Sequence, residues 1–359
     1  MNGGKSSGAV RFLVVAASLV IVIAGMKAAS SILVPFLLAV FIAIIATPLF
    51  LSLQRRGVPS AVALLLMILL LVVVGFLVVG VVRTSLIGFS DNLSTYEARL
   101  QDRTEGILQW LEGLEMPWLK ERGVEFPALT ISDLLDPNAA MGYLGTVTST
   151  LSGMLANTFL ILLVAVFMLL EAALLPAKVR ALPGLSDEMW SRLKQMVENV
   201  RHYMSLKTLT SLLTGVLVYI VTAVIGIDYP VLLGLLAFLL NYVPNVGSFI
   251  AAIPGVLLAF IQFDFSGAAG TAIAYVVINV VVGNVIEPRV MGRGLGLSPL
   301  VILLSMIFWG WVLGPVGMLL SVPLTMATRI ALESGEGTQW IALLMGSRVP
   351  DPDDSTAVH

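Results

Sequence analysis

The stretches 241-NYVPNVGSFIAAIP-254 and 309-WGWVLGPVGMLLSVP-323 decide the fold of this chain. Each lies inside a run of 35 residues without Asp, Glu, Lys or Arg, 229–263 and 294–328. About 20 apolar residues carry a helix once across a bilayer. Each run is too long for one crossing and short for two, and Pro and Gly near its middle interrupt a helix. Both therefore read as hydrophobic hairpins, with Pro244, Gly247 and Pro254 shaping the first and Gly314, Pro315, Gly317 and Pro323 the second.

The rest of the chain fits the same solvent. Of its 359 residues 58% are hydrophobic and 12% charged, and its mean hydropathy is +0.99. A soluble domain is nearer one quarter charged, so the composition excludes an ordinary cytosolic enzyme and a disordered protein. Further uncharged runs lie between Arg11 and Lys27 and at 28–53, 61–82, 137–170, 208–227 and 265–286. The expectation is an all-α integral membrane protein with six long transmembrane helices plus two broken hairpins, about eight spans in all. Lys27 stands where a signal-peptide cleavage site would be, so the first run is read as an uncleaved helix.

Charge distribution orients the chain. Lys5, Arg11, Arg55, Arg56 and the six cations from Lys178 to Lys207 mark one side. Residues 83–136 hold five cations against ten carboxylates and fall on the other. Both termini are expected in the cytoplasm. The predicted layout is three helices in 1–84, an external (periplasmic) helical insertion in 85–136 and a fourth span in 137–175. A cytoplasmic amphipathic helix follows in 176–207, then a transport core in 208–331 and a tail in 332–359.

The external insertion carries Ile107, Leu108, Leu111 and Leu114 at helical spacing, with Pro117 and Pro127 breaking it into short helices. It is either a cap over a pathway or a helical hairpin packed on the membrane domain. In the second insertion Ser186 is placed to cap a helix, and Met189, Leu193, Met196 and Val200 form an apolar stripe suited to a membrane surface. His202 there is either a pH-sensing group or an interfacial polar residue.

The C-terminal half has an internal rhythm: a span and a hairpin, then another span and another hairpin. Each unit crosses an odd number of times, so two in tandem face opposite ways, as in inverted-repeat transporters whose broken helices present free backbone groups to a solute. Asn241, Asn245, Asn279 and Asn284 supply side chains that both donate and accept, which suits a neutral polyhydroxylated solute. Asn284 and Glu287, three apart, are expected on one helical face. Glu287 is either an ion-coupling group or the partner of Arg289 across Pro288, and Lys207 and Asp228 read as interfacial anchors.

Enzyme signatures are missing. There is no Cys, there are two His, and neither His-Glu-x-x-His nor Gly-x-Ser-x-Gly occurs. Gly4-Lys5-Ser6 lacks the rest of a phosphate loop. No cofactor, metal or nucleic acid is expected.

The run 241–254, the run 284-NVIEPRVMGRGLGLSPLVILLSMIFWGWVLGPVGMLLSVPLT-325, the stretch 34-VPFLLAVFIAIIATPL-49 and DPNAAM at 136–141 resemble the autoinducer-2 exporter family of bacterial membrane proteins. The likeness is closest to its autoinducer-2 transport protein branch, from which the external insertion departs. The resemblance implies a multi-pass inner-membrane transporter that exports the quorum-sensing molecule autoinducer-2, working as a homo-oligomer, a pentamer. Other members of the wider family imply a competitor, sodium- or lithium-for-proton antiport. An oligomeric channel or scaffold is the third reading.

Overall fold

The computed structural model describes residues 3–113, 142, 145, 146, 149, 157–172, 175–181, 187–244, 246–291, 297–333 and 337–347. They are almost all helical, and the chain is an all-α integral membrane protein. The N-terminal helices are α1 (Gly3–Ala28), α2 (Ser30–Arg55), α3 (Ser60–Asp91) and α4 (Leu93–Gly113), followed by α5 (Thr158–Ala172) and α6 (Leu175–Arg180). The C-terminal half begins with α7 (Asp187–Ile225). The first hairpin is α8 (Pro230–Leu240) and α9 (Gly247–Phe263). Helix α10 (Phe265–Asn279) runs through a π-helical segment (Val280–Ile286) into α11 (Glu287–Met291). The second hairpin is α12 (Pro299–Leu313), α13 (Pro315–Leu319) and α14 (Ser321–Glu333), and α15 (Gln339–Leu344) follows.

Among the described residues four helices are long and apolar enough to cross a membrane: Ser30–Arg55, Ser60–Asp91, Val197–Ile225 and Phe265–Val290. Their lateral faces are apolar, as at Leu65 and Phe76 of α3, 65% and 74% exposed. Such a surface is intolerable in water and ordinary against lipid. Inside, small residues bring helices together. Ala39, Ala43, Ala46 and Phe50 make a buried seam on α2, met by Ile161, Ala165 and Leu169 of α5 and by Ala63 and Met67 of α3. Helices α7 and α8 cross at Gly215 and Gly234. A Cβ on either would stand 2.8 or 2.7 Å from the other's carbonyl oxygen.

Several expected boundaries move. A surface helix ending at 207 and a span starting at 208 are one 39-residue helix, α7. Residues 187–214 contain no Pro or Gly, so nothing stops the helix where its polarity changes. Helix α3 likewise continues past the apolar run to Asp91. Ser186, Pro117, Pro127 and most of 114–156 lie outside the described residues.

Both hairpins return to the level they left. The Asp228 N–H donates to Gln262 Oε1 at 3.2 Å, and the Gln262 amide donates back to Asp228 Oδ2. This bond staples the two arms of the first hairpin at its mouth. Helix α4 docks on the same staple: Tyr96 donates to Asp228 Oδ2 at 2.7 Å, and Tyr229, left-handed at φ 58°, lies 3.3 Å from Tyr96 Oη and from Asn92 Nδ2. Burial, reinforced by Tyr229 and Asp228, pushes the Tyr96 phenol above its ordinary range, so it remains a donor at any physiological pH. In the second hairpin Ser298 caps α12 by accepting from the Val301 N–H, while its own N–H donates to Met345 O at 3.0 Å. Leu297, at the base, packs with Val322 and Met326 of α14.

The two tips close alike. A Cβ on Gly247 would overlap the carbonyl oxygen of Leu240 and come within 2.9 Å of Val243 Cβ. One on Gly317 would overlap the carbonyl oxygen of Trp309 and come within 2.8 Å of Leu313 Cβ. Gly314 adds a left-handed φ of 69°. Gly247→Ala and Gly317→Ala should each lower the thermal midpoint of the detergent-solubilised protein, because backbone and not a side chain blocks the methyl. Gly270→Ala, with nothing within 4 Å, should leave the midpoint unchanged or raise it.

Candidate functional site

The segment 207-KTLTSLLT-214 places five polar side chains in two turns of α7. Helical periodicity separates them from their neighbours. Lys207, Thr210, Ser211 and Thr214 are buried, while Leu209 and Leu212 are 58% and 53% exposed. Three elements converge on this polar face: the first hairpin's tip, the end of the π segment, and α2.

The π segment delivers Glu287. Its carboxylate receives two bonds from Lys207 Nζ, at 2.8 Å and 3.0 Å, with the lysine side chain 6% and the glutamate 20% exposed. Tyr203, one turn before Lys207, is buried on the same face. The tip supplies the rest. Asn241 caps α8 through its N–H to Ala237 O at 3.0 Å, and its Nδ2 donates to Ser211 Oγ, also at 3.0 Å. Next in sequence, the Tyr242 hydroxyl donates to Thr208 Oγ1 at 2.7 Å. Its ring sits edge-on between Phe41 of α2 and Phe238 of α8, with centroids 5.1 and 5.7 Å away. The arrangement sums to no net charge: one ion pair beside hydroxyls and an amide. Such a set can hold an uncharged, oxygen-rich molecule by exchanging internal hydrogen bonds for bonds to it. Among the described residues no group of three or more His, Cys, Asp or Glu is placed to hold a metal ion.

The structure distributes the sequence-predicted residues unevenly. Asn241 is buried in the polar face, Asn279 is half-buried above Gly283, Asn284 is exposed, and Asn245 lies outside the described residues. The expected shared face of Asn284 and Glu287 is not formed. Between Val280 and Ile286 the helix follows i→i+5 bonding, which turns Asn284 outward while Glu287 points in. The partner of Glu287 is Lys207, not Arg289, which is exposed. Lys207 is buried and its ammonium group is held by Glu287. Pro244 is half-buried at the first tip and Pro254 is buried within α9. Gly314 and Pro315 open α13, Gly317 is buried in it, and Pro323 stands in the first turn of α14. Tyr203, Thr208, Ser211 and Tyr242 are not marked as site residues by the sequence, and Lys207 is marked there only as an anchor. The spacing of the hydroxyls in 207–214 was the available signal.

Removing one member of a buried ion pair strands the other, at a cost of about 3–5 kcal/mol. Glu287→Gln and Lys207→Met should each depress the thermal midpoint in detergent. The double variant should recover most of the loss, because no unpaired charge is then buried.

The sequence matches the profile described as AI-2E family transporter over residues 16–337. A Haemophilus influenzae relative, bearing only a provisional transport-protein name, is 40% identical over 340 residues, 94% of this chain and 96% of its own. The AI-2 transport protein TqsA of Escherichia coli (strain K12) is 39% identical over 335 residues, 93% of this chain and 95% of its own. YhhT of the same strain, also provisionally named as a transport protein, is 35% identical over 334 residues, 93% of each chain.

Proposed function

The chain belongs to the AI-2E transporter family, and on that premise we propose that it exports autoinducer-2 from the cytoplasm through the bacterial inner membrane. The observation that carries the solute is the near full-length kinship with TqsA, whose name states AI-2 transport. The site's chemistry supports it. Autoinducer-2 is a small furanone-like diol derivative, and Thr208, Ser211, Asn241 and Tyr242 form an uncharged hydrogen-bonding set at a break in the helices. In this reading Asn241, with Asn245, Asn279 and Asn284 along the path, contacts solute. The Pro and Gly residues of both tips hold the broken-helix geometry, and the two hairpins act as inverted counterparts. The termini are cytoplasmic, the 85–136 insertion is external, and the working unit is a homo-oligomer, a pentamer.

A second reading rests on a separate observation. Glu287 and Lys207 form an ion pair within the membrane part of the protein, a placement that marks ion pathways and coupling groups. Cation-for-proton exchange would use that pair, with Glu287 as its acidic member.

The decisive measurement is uptake of labelled autoinducer-2 into inside-out proteoliposomes, with and without an imposed proton or sodium gradient. Saturable uptake that falls about tenfold or more in Asn241→Ala is expected, in line with losing a hydrogen bond to solute. Absence of uptake together with sodium-driven proton movement, abolished by Glu287→Gln, would transfer the function to antiport.

A further inference from the structure

We propose that the first turn of α14, on the return arm of the second hairpin just past its tip, is a second solute subsite, where Ser321 and the N-terminal end of the helix receive an acceptor oxygen of an uncharged, polyoxygenated small molecule. The proposal rests on the transport reading above and adds a position it does not contain.

Ser321 is fully buried, and its Oγ has no hydrogen-bond partner. Five other buried hydroxyls on these helices return to their own backbone. Thr210 donates to Lys207 O, Thr214 to Thr210 O, Thr222 to Val218 O, Thr271 to Gly267 O and Ser305 to Ile302 O, at 2.7–3.1 Å. That habit is the default for a hydroxyl inside a membrane helix. An orphaned buried hydroxyl costs the full desolvation of the group, so it calls for a partner. The second orphan among the described residues, Tyr275 Oη, abuts the position of a Cβ on Gly255 and has no helix terminus beside it.

Ser321 has such a terminus. The Leu324 N–H closes onto Leu320 O at 3.0 Å, so Ser321, Val322 and Pro323 form the opening turn of a 13-residue helix. The helix dipole puts its positive end there. One turn on, Thr325 Oγ1 accepts from Trp309 Nε1 at 3.1 Å, which leaves its own O–H free to donate along the same face. Donors and a partial positive charge, without a cation on the turn, select a hydroxyl or carbonyl oxygen.

The turn also adjoins the first site. Val322 and Met326 pack in one cluster with Tyr203 and Met204 of α7, one turn from Lys207. Phe41 packs against that cluster and also edges onto Tyr242. The first hairpin's tip and the first turn of α14 thus approach one stretch of α7, and Phe41 of α2 touches both. An oxygen-rich solute held at Ser211 and Asn241 has its next donor set at Ser321.

The chain contains no Cys, so Ser321→Cys and Ser211→Cys each create a single thiol in the otherwise native protein. Both would be reacted with N-ethylmaleimide in proteoliposomes, alone, with autoinducer-2, and with glycerol and erythritol as generic polyols. The expected result is that both thiols react and autoinducer-2 slows both at least tenfold. Ser321→Ala should raise the KM for autoinducer-2 about tenfold, the worth of one hydrogen bond, while Ser321→Thr stays near the parent value. If polyols protect both thiols and autoinducer-2 neither, the subsite stands and the named solute falls. Protection of Cys at 211 but not at 321, or a thiol at 321 that never reacts, overturns the subsite and leaves the exporter reading intact. Failure of every solute at both positions overturns both.

Discussion

A helix cannot stop inside a hydrocarbon layer unless something receives the amide and carbonyl groups it leaves free. Everything specific about this protein follows from stopping helices there twice. At the first tip the chain answers locally: the Tyr242 N–H turns to Leu239 O, Val243 N–H to Leu240 O and Gly247 N–H to Val243 O. The second does the same through Gly314 N–H to Gly310 O, Met318 N–H to Gly314 O and Leu320 N–H to Val316 O. Both solutions need the following helix to start almost against the previous carbonyl, which is why a glycine stands at 247 and at 317. Protein then packs around each tip, and polar side chains beside it become affordable. The buried polar face is a by-product of hiding broken backbone.

The same logic explains where charge is tolerated. Lys207 and Glu287 are 80 residues apart in sequence and meet with two hydrogen bonds. Desolvating either alone would be prohibitive, and together they present no net charge to the apolar surroundings. Placed between the first tip and the π segment, the pair also fixes how the α10–α11 helix sits against α7. Asp228 plays a comparable part at the mouth, where Gln262 and Tyr96 share its Oδ2. The mouth is held by neutral donors on a carboxylate, the interior by an ion pair, as their access to water demands.

Much of this architecture was legible in the order of residues. The hairpins were readable because Pro and Gly inside long uncharged runs leave few alternatives, and Asn241 stood out as an amide beside such a break. What could not be read depended on distance or on register. The Lys207–Glu287 pair joins segments separated by a whole hairpin, and a nearby Arg289 offers a plausible partner to a one-dimensional reading. The outward turn of Asn284 follows from a π segment, whose extra residue per turn has no sequence marker here. The continuity of α7 was hidden by a change in polarity at 207, although polarity decides where a helix lies and Pro or Gly decides where it ends. Ser321 was silent because serine is common in membrane helices, and only its missing partner distinguishes it.

Helix α7 has one more consequence. At about 1.5 Å per residue its 39 residues extend for about 58 Å, roughly twice the hydrocarbon thickness. Its first 28 residues contain neither Gly nor Pro, so that length behaves as a stiff rod with no joint. Lys207 and Ser211 sit near its midpoint, and the Asp187 end projects well beyond the apolar window that begins at Val197. A twist applied to the Asp187 end arrives at Lys207 and Ser211 with little loss, so whatever grips that end holds a torsion handle on the polar face at the helix's middle.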